Sequence, residues 1–121
     1  MKKVEPGERR VANIFEAEYV PFELENGEGA AGSVLQLNDE QRPGVGFHVY
    51  RMEPGCHTTP HEHTDHEEFL VIQGEAVDND GTVYRPGDLV FMKKGTEHST
   101  YTEKGCLMAV YIKTPETVVA E

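Results

Sequence analysis

Cysteine is scarce: Cys56 and Cys106 are the only two in 121 residues. They lie far apart and form no CxxC pair, so the reading is reduced thiols, not a disulfide. Basic side chains are also in short supply, with 11 Lys and Arg against 22 Asp and Glu and a net charge of −11. Such a surface repels a phosphate backbone or an anionic bilayer, so neither nucleic acid nor membrane is expected as a partner. Long apolar runs are missing; the longest, Phe69–Ile72, is far too short to cross a bilayer. The opening MKKVEPGERR carries charge but no apolar segment after it. It does not read as a secretory signal, and a cytoplasmic location is expected. No repeat of solenoid length, low-complexity tract, glycine-rich phosphate loop or GxSxG elbow occurs.

What is present suits one domain with one core. Twelve glycines and seven prolines punctuate short apolar segments. Short segments at that spacing predict an all-β sandwich or barrel. Strands are expected at 33–37, 45–52, 59–63, 67–72, 75–77, 82–84, 89–92, 98–101 and 107–113. Asn79-Asp80-Gly81 reads as a hairpin corner, because Asp-Gly tolerates positive φ. Arg85-Pro86-Gly87-Asp88 reads as a turn, with proline fixing φ at its second position. Residues 11–19 fit a short helix or a strand equally well, and 114–121 read as a loose tail.

Four of the six histidines, His57, His61, His63 and His66, crowd into PGCHTTPHEHTDHEEFLVIQGE at 54–75. Residues two apart in a strand share a face, so His61 and His63 point the same way, roughly 7 Å apart at the backbone. Glu67, after a short bend, can complete an N,N,O set suited to Fe, Mn, Co, Ni, Cu or Zn. His98 follows a Gly95-Thr96-Glu97 turn that can return the chain to the same cavity. Alternation turns Glu68 to the opposite side and His66 outward, with His66 exposed. Phe69 and Val71 share the inward face with Glu67 and are expected in the cavity wall, and Thr100 shares that of His98. Tyr101 is expected to point away. His57 reads as a solvated loop histidine, His48 as structural, and Cys56 as a plain thiol. Met108 and Tyr111 have no assigned face.

These residues carry a resemblance. Gly55, His61-Glu62-His63, Glu67 and Gly74 fit the first motif of the cupin superfamily without a gap. Gly87, Gly95 and His98 fit the spacing of the second, with Lys93 where proline is usual and Thr102 where asparagine is usual. The runs EEFLVIQGE, DNDGTVYRPGD, KKGTEH and GCLMAVY, with the lead-in VPFELENGEGAAGSVLQLNDE, are similar to the cupin domain of ChrR-type anti-sigma factors and its free-standing relatives. The chain is expected to be of the free-standing kind, since it has no room for a helical sigma-binding domain.

The resemblance implies a double-stranded antiparallel β-helix, a jelly-roll barrel over residues 31–113. An N-terminal extension at 1–30, forming an extra strand or a short helix, and a tail at 114–121 would flank it. It implies one divalent transition metal ion held by His61, His63, Glu67 and His98, and a homodimer; residues 1–36, which exceed what the barrel needs, could add a strand to a neighbour and cover an exposed edge. The implied activity is a non-haem-iron type of dioxygenase acting on a small organic molecule. A metal-holding sensor or binding module is the alternative, and a sugar-type isomerase or epimerase the weaker one.

Overall fold

Alternation sets the architecture. From Glu67 to Val71 every second side chain is buried, and Glu68 and Leu70 between them are exposed. From Cys106 to Ile112 the same inward row recurs at Cys106, Met108, Val110 and Ile112. A strand that is apolar on one face must cover that face with another sheet. The computed structural model describes residues 1–23 and 29–119. The parts of the NGEGAAG segment and of the expected tail at 24–28 and 120–121 lie outside the described residues.

The described strands are β1 (Val20–Glu23), β2 (Gly29–Leu35), β3 (Gly46–Met52), β4 (His61–Glu62), β5 (Glu67–Gly74) and β6 (Ala76–Asp78). They continue with β7 (Val83–Tyr84), β8 (Leu89–Met92), β9 (Glu97–His98), β10 (Thr100–Tyr101), β11 (Cys106–Ile112) and β12 (Thr117–Val118). Six form one antiparallel sheet in the order β1-β2-β3-β11-β5-β8. Two three-stranded sheets, β10-β6-β7 and β12-β4-β9, complete a jelly-roll barrel with no helix among the described residues. Antiparallel pairing throughout is what short connections rich in glycine allow.

The expected strands recur with small shifts, and two differences matter. Residues 11–19 are neither helix nor strand: they hold a turn in which the amides of Glu16 and Ala17 both donate to the Asn13 carbonyl. The chain also pairs beyond 31–113 at both ends. β1 adds to the edge of this chain's own sheet, where Pro21 does no harm. β12 pairs with β4 in what had read as a loose tail.

The core fills the space between the sheets with Val34, Met52, Phe69, Val71, Met108, Val110 and Ile112. Each such side chain contributes about 1.5–3 kcal/mol when fully buried. The Phe69 and Tyr84 rings pack edge to face at 5.1 Å. Cys56 and Cys106 are both free thiols, and burial pushes Cys106 up to about 11. The Thr102 side chain, where asparagine is usual, is fully buried. Its hydroxyl donates to the Glu75 carbonyl at 2.7 Å and accepts from the Gly105 amide at 3.0 Å.

Candidate metal centre

His61 opens β4, and the register of the small sheet sets it directly opposite His98 on β9. His63 lies just beyond β4, where its amide donates to the Thr96 carbonyl. The three rings therefore gather from two short strands and a turn. Their centroids are 4.6 Å apart for His61 and His98, 4.8 Å for His63 and His98, and 5.1 Å for His61 and His63. Glu67, at the head of β5 in the large sheet, reaches across to 3.5 Å from His63 Nε2. All four residues are buried.

Each ring is held by its other nitrogen. His61 Nδ1–H donates to the Thr59 carbonyl at 2.8 Å, and His98 Nδ1–H donates to Asp78 Oδ2 at 2.8 Å. His63 Nδ1 meets the Thr96 hydroxyl at 2.9 Å. The Thr96 hydroxyl proton is already given to the Lys93 carbonyl, so this oxygen accepts and His63 Nδ1 donates. With every Nδ1 protonated and engaged, every Nε2 carries a lone pair. Those of His63 and His98 are buried with no hydrogen-bond partner. Buried acceptors without partners are costly, and a cation would satisfy them. The donor atoms of His61, His63 and His98 lie within 4.8 Å of one another, as do those of His61, His63, Glu67 and Glu116. This group can hold a metal ion, and its composition fits one.

The electrostatics differ from ring to ring. Burial holds His61 down to about 4, outweighing its hydrogen bond to Thr59. Burial lowers His98 too, but the hydrogen bond and charge of Asp78 outweigh it and raise His98 above the ordinary imidazole value. Acid therefore competes for His98 first, because a proton bound there blocks the lone pair. Two outcomes are expected from an NMR pH titration of the metal-free protein. His61 should titrate near pH 4 and His98 above the ordinary value. Asp78→Asn, which keeps an acceptor and removes the charge, should lower the His98 midpoint.

The Thr96 relay carries a separate prediction. Thr96→Val keeps the shape but removes the acceptor that fixes the His63 tautomer. Metal affinity should fall by about 10-fold in chelator competition.

The remaining expected residues fall as follows. Phe69 and Thr100 line the cavity beside the histidines. The Thr100 hydroxyl, however, donates to Asp78 Oδ1 at 2.6 Å, so its proton is not offered to the cavity. Val71 does not line it: its face is inward, but it lies along β5 from Glu67, packed in the core. His66 is turned away from the cluster but is half-buried instead of exposed. It stacks on Phe91 at 5.3 Å between Asp65 and Glu68. Glu68 and Tyr101 are exposed, and so is His57, edge-on to Tyr101. Tyr111 points outward, and Met108 points into the cavity.

Sequence reasoning missed three contributors. Asp78 collects the Tyr84 hydroxyl, the Thr100 hydroxyl and His98 Nδ1. Its signal was parity with the fully buried Ala76 two residues earlier. His48, read as merely structural, lines the cavity, its Nδ1 bonded to the Gly46 carbonyl. Glu116 stands 3.6 Å from His61 Nε2. Burial and the neighbouring charge of Glu67 push its carboxyl well above the usual carboxylate range.

A jelly-roll barrel with three imidazoles and a carboxylate gathered at its cavity is the architecture of a cupin. More narrowly, residues 8–114 match the family described as the ChrR cupin-like domain, and the chain belongs to that family. No curated protein matches the chain. Among solved structures it is similar to the polyketide cyclase RemF from Streptomyces resistomycificus. That likeness has a TM-score of 0.69 at 20% identity and covers 93% of this chain and 87% of the other. It is also similar to an acetylacetone dioxygenase from Acinetobacter johnsonii, with a TM-score of 0.68 at 17% identity, covering 100% and 83%. A putative acetylacetone dioxygenase from Methylibium petroleiphilum PM1 gives 0.68 at 15%, covering 99% and 86%. At such identities the likeness establishes the fold. No helix among the described residues is long and apolar enough to cross a membrane.

Proposed function

We propose that the chain holds one divalent transition metal ion through His61, His63, Glu67 and His98, and that it is a dioxygenase for a small organic molecule. The observation that carries this reading is the set of three imidazoles, each fixed through Nδ1, that turn their Nε2 atoms towards one another beside an apolar cavity. When bound, a metal there supplies Lewis acidity and, as iron(II), redox chemistry with dioxygen.

The chain's own residues supply the rest. A cavity open to solvent at its mouth adjoins the histidines, the concave and mostly apolar setting in which small molecules bind. Phe69, Met108, Val110 and Ile112 give it an apolar wall that sheds water from a bound substrate. His48, Thr58 and Thr59 place a few polar groups among them, enough to orient a ligand with one or two oxygen atoms. Asp78 keeps His98 aligned. The dioxygenase likenesses support a diketone as the first substrate to try.

An oxygen electrode tests this with iron-loaded protein against diketones, hydroxyaryl ketones and thiols. Oxygen consumption is expected with at least one carbonyl substrate and is expected to vanish in His61→Ala. Firm metal retention without oxygen uptake across the panel would replace the enzyme reading with that of a binding module.

A further inference from the structure

The C-terminal segment brings a second carboxylate to the centre. β12 pairs with β4 so that Val118 lies opposite His61 and Thr117 opposite Glu62. Hydrogen bonds anchor the segment on both sides of Glu116. Before it, the Thr64 hydroxyl donates to the Pro115 carbonyl at 2.8 Å and accepts from the Thr114 hydroxyl. After it, the Val119 amide donates to the Pro60 carbonyl at 3.1 Å. Held in this way, Glu116 points inward and lines the cavity. Its Oε2 lies 3.6 Å from His61 Nε2, and a carboxylate oxygen shares the 4.8 Å cluster of donor atoms with His61, His63 and Glu67.

We propose that Glu116 is a fifth protein ligand of the metal centre, so that the ion it helps to hold also locks the C-terminal strand over the cavity. This rests on the reading that the imidazoles bind a dication. Two physical arguments support it. A dication among three neutral imidazoles and one carboxylate keeps a net positive charge beside an apolar wall, and a second carboxylate cancels it. Glu67, buried, and Glu116, half-buried, are close enough to repel each other when both are ionised, and a cation near both relieves that repulsion where otherwise a shared proton must. If the bound ion is six-coordinate, a substrate that needs two positions on it has to displace Glu116, and with it loosen β12. A single-oxygen ligand does not.

Cobalt(II) binding to the full chain and to Glu116→Gln tests the proposal, with His61→Ala as reference. Glu116→Gln should weaken cobalt binding by about 100-fold or more in chelator competition, beyond the roughly 10–100-fold effect of losing an outer-shell partner, and alter the visible d–d spectrum. In the wild type, cobalt should slow hydrogen exchange at the Val119 amide, and Glu116→Gln should abolish that protection. Unchanged affinity and spectrum in Glu116→Gln, with cobalt lost from His61→Ala, would overturn the fifth ligand and leave the metal centre standing. Cobalt retained in His61→Ala would overturn both.

Discussion

Replacing His98 with alanine is expected to strip the centre of its metal, with affinity falling by at least about 100-fold. His98 is the ring most tightly committed to the role. Its Nδ1 is fixed by Asp78 and its Nε2 is buried without any other partner. Removing a ligand takes away a direct bond, a larger change than the 10–100-fold effects of losing an outer-shell partner. The fold should survive. Asp78 keeps the Tyr84 and Thr100 hydroxyls as donors, so no buried carboxylate is left without hydrogen bonds. Thermal melting of the metal-free proteins should therefore show a modest difference while elemental analysis shows a large one. His66→Ala is the control. Its ring stacks on Phe91 on the outer face of the sheet, and metal content should match the wild type. Equal metal in all three proteins would show the ligand assignment to be wrong.

The largest effect on stability is expected from Gly74→Ala. Gly74 ends β5 at φ +78°, and it lies opposite Cys106 next to an irregularity in the β5–β11 ladder. A methyl group there would overlap the Gly105 carbonyl oxygen and crowd its carbonyl carbon, both backbone atoms that cannot rotate away. Positive φ alone costs an alanine of order 1 kcal/mol. A clash with backbone in the central strand pair adds to that, for a total of about 3 kcal/mol or more. In a domain of this size that corresponds to a fall of roughly 10 °C in melting temperature. Gly95→Ala isolates the first contribution. Its φ is +90°, yet nothing lies within 4 Å of where the methyl would go. A Gly74→Ala variant that melts with Gly95→Ala would mean that the β5–β11 pairing is looser than described.

These expectations also show how far the sequence could be read. Period-two alternation identifies the inward face of β5, counted from Glu67, but gives β11 no assigned face, because its CLMAVYI run is apolar on both sides and Leu107 is buried as well as Met108. The His61-Glu62-His63 pair was legible because residues two apart share a face even in a strand as short as β4. Parity says which face a side chain takes, not how far along the barrel it lies. Hence Val71 was rightly placed inward but sits in the core, whereas His48 borders the cavity. Glu116 was illegible for a different reason. β12 is two residues long and gains its place only by pairing with β4, a contact between distant parts of the chain that no local pattern encodes. Asp78 falls between these cases: its parity with Ala76 was visible, but its three hydrogen bonds depend on how the β10-β6-β7 sheet assembles.

The central claim is that one ion binds among His61, His63 and His98. Crystals of the protein loaded with a single metal, measured on both sides of that metal's absorption edge, test it most directly. One anomalous peak is predicted within bonding distance of the three Nε2 atoms and a Glu67 carboxylate oxygen. A peak elsewhere in the molecule, or none with the three rings unmoved, would contradict it.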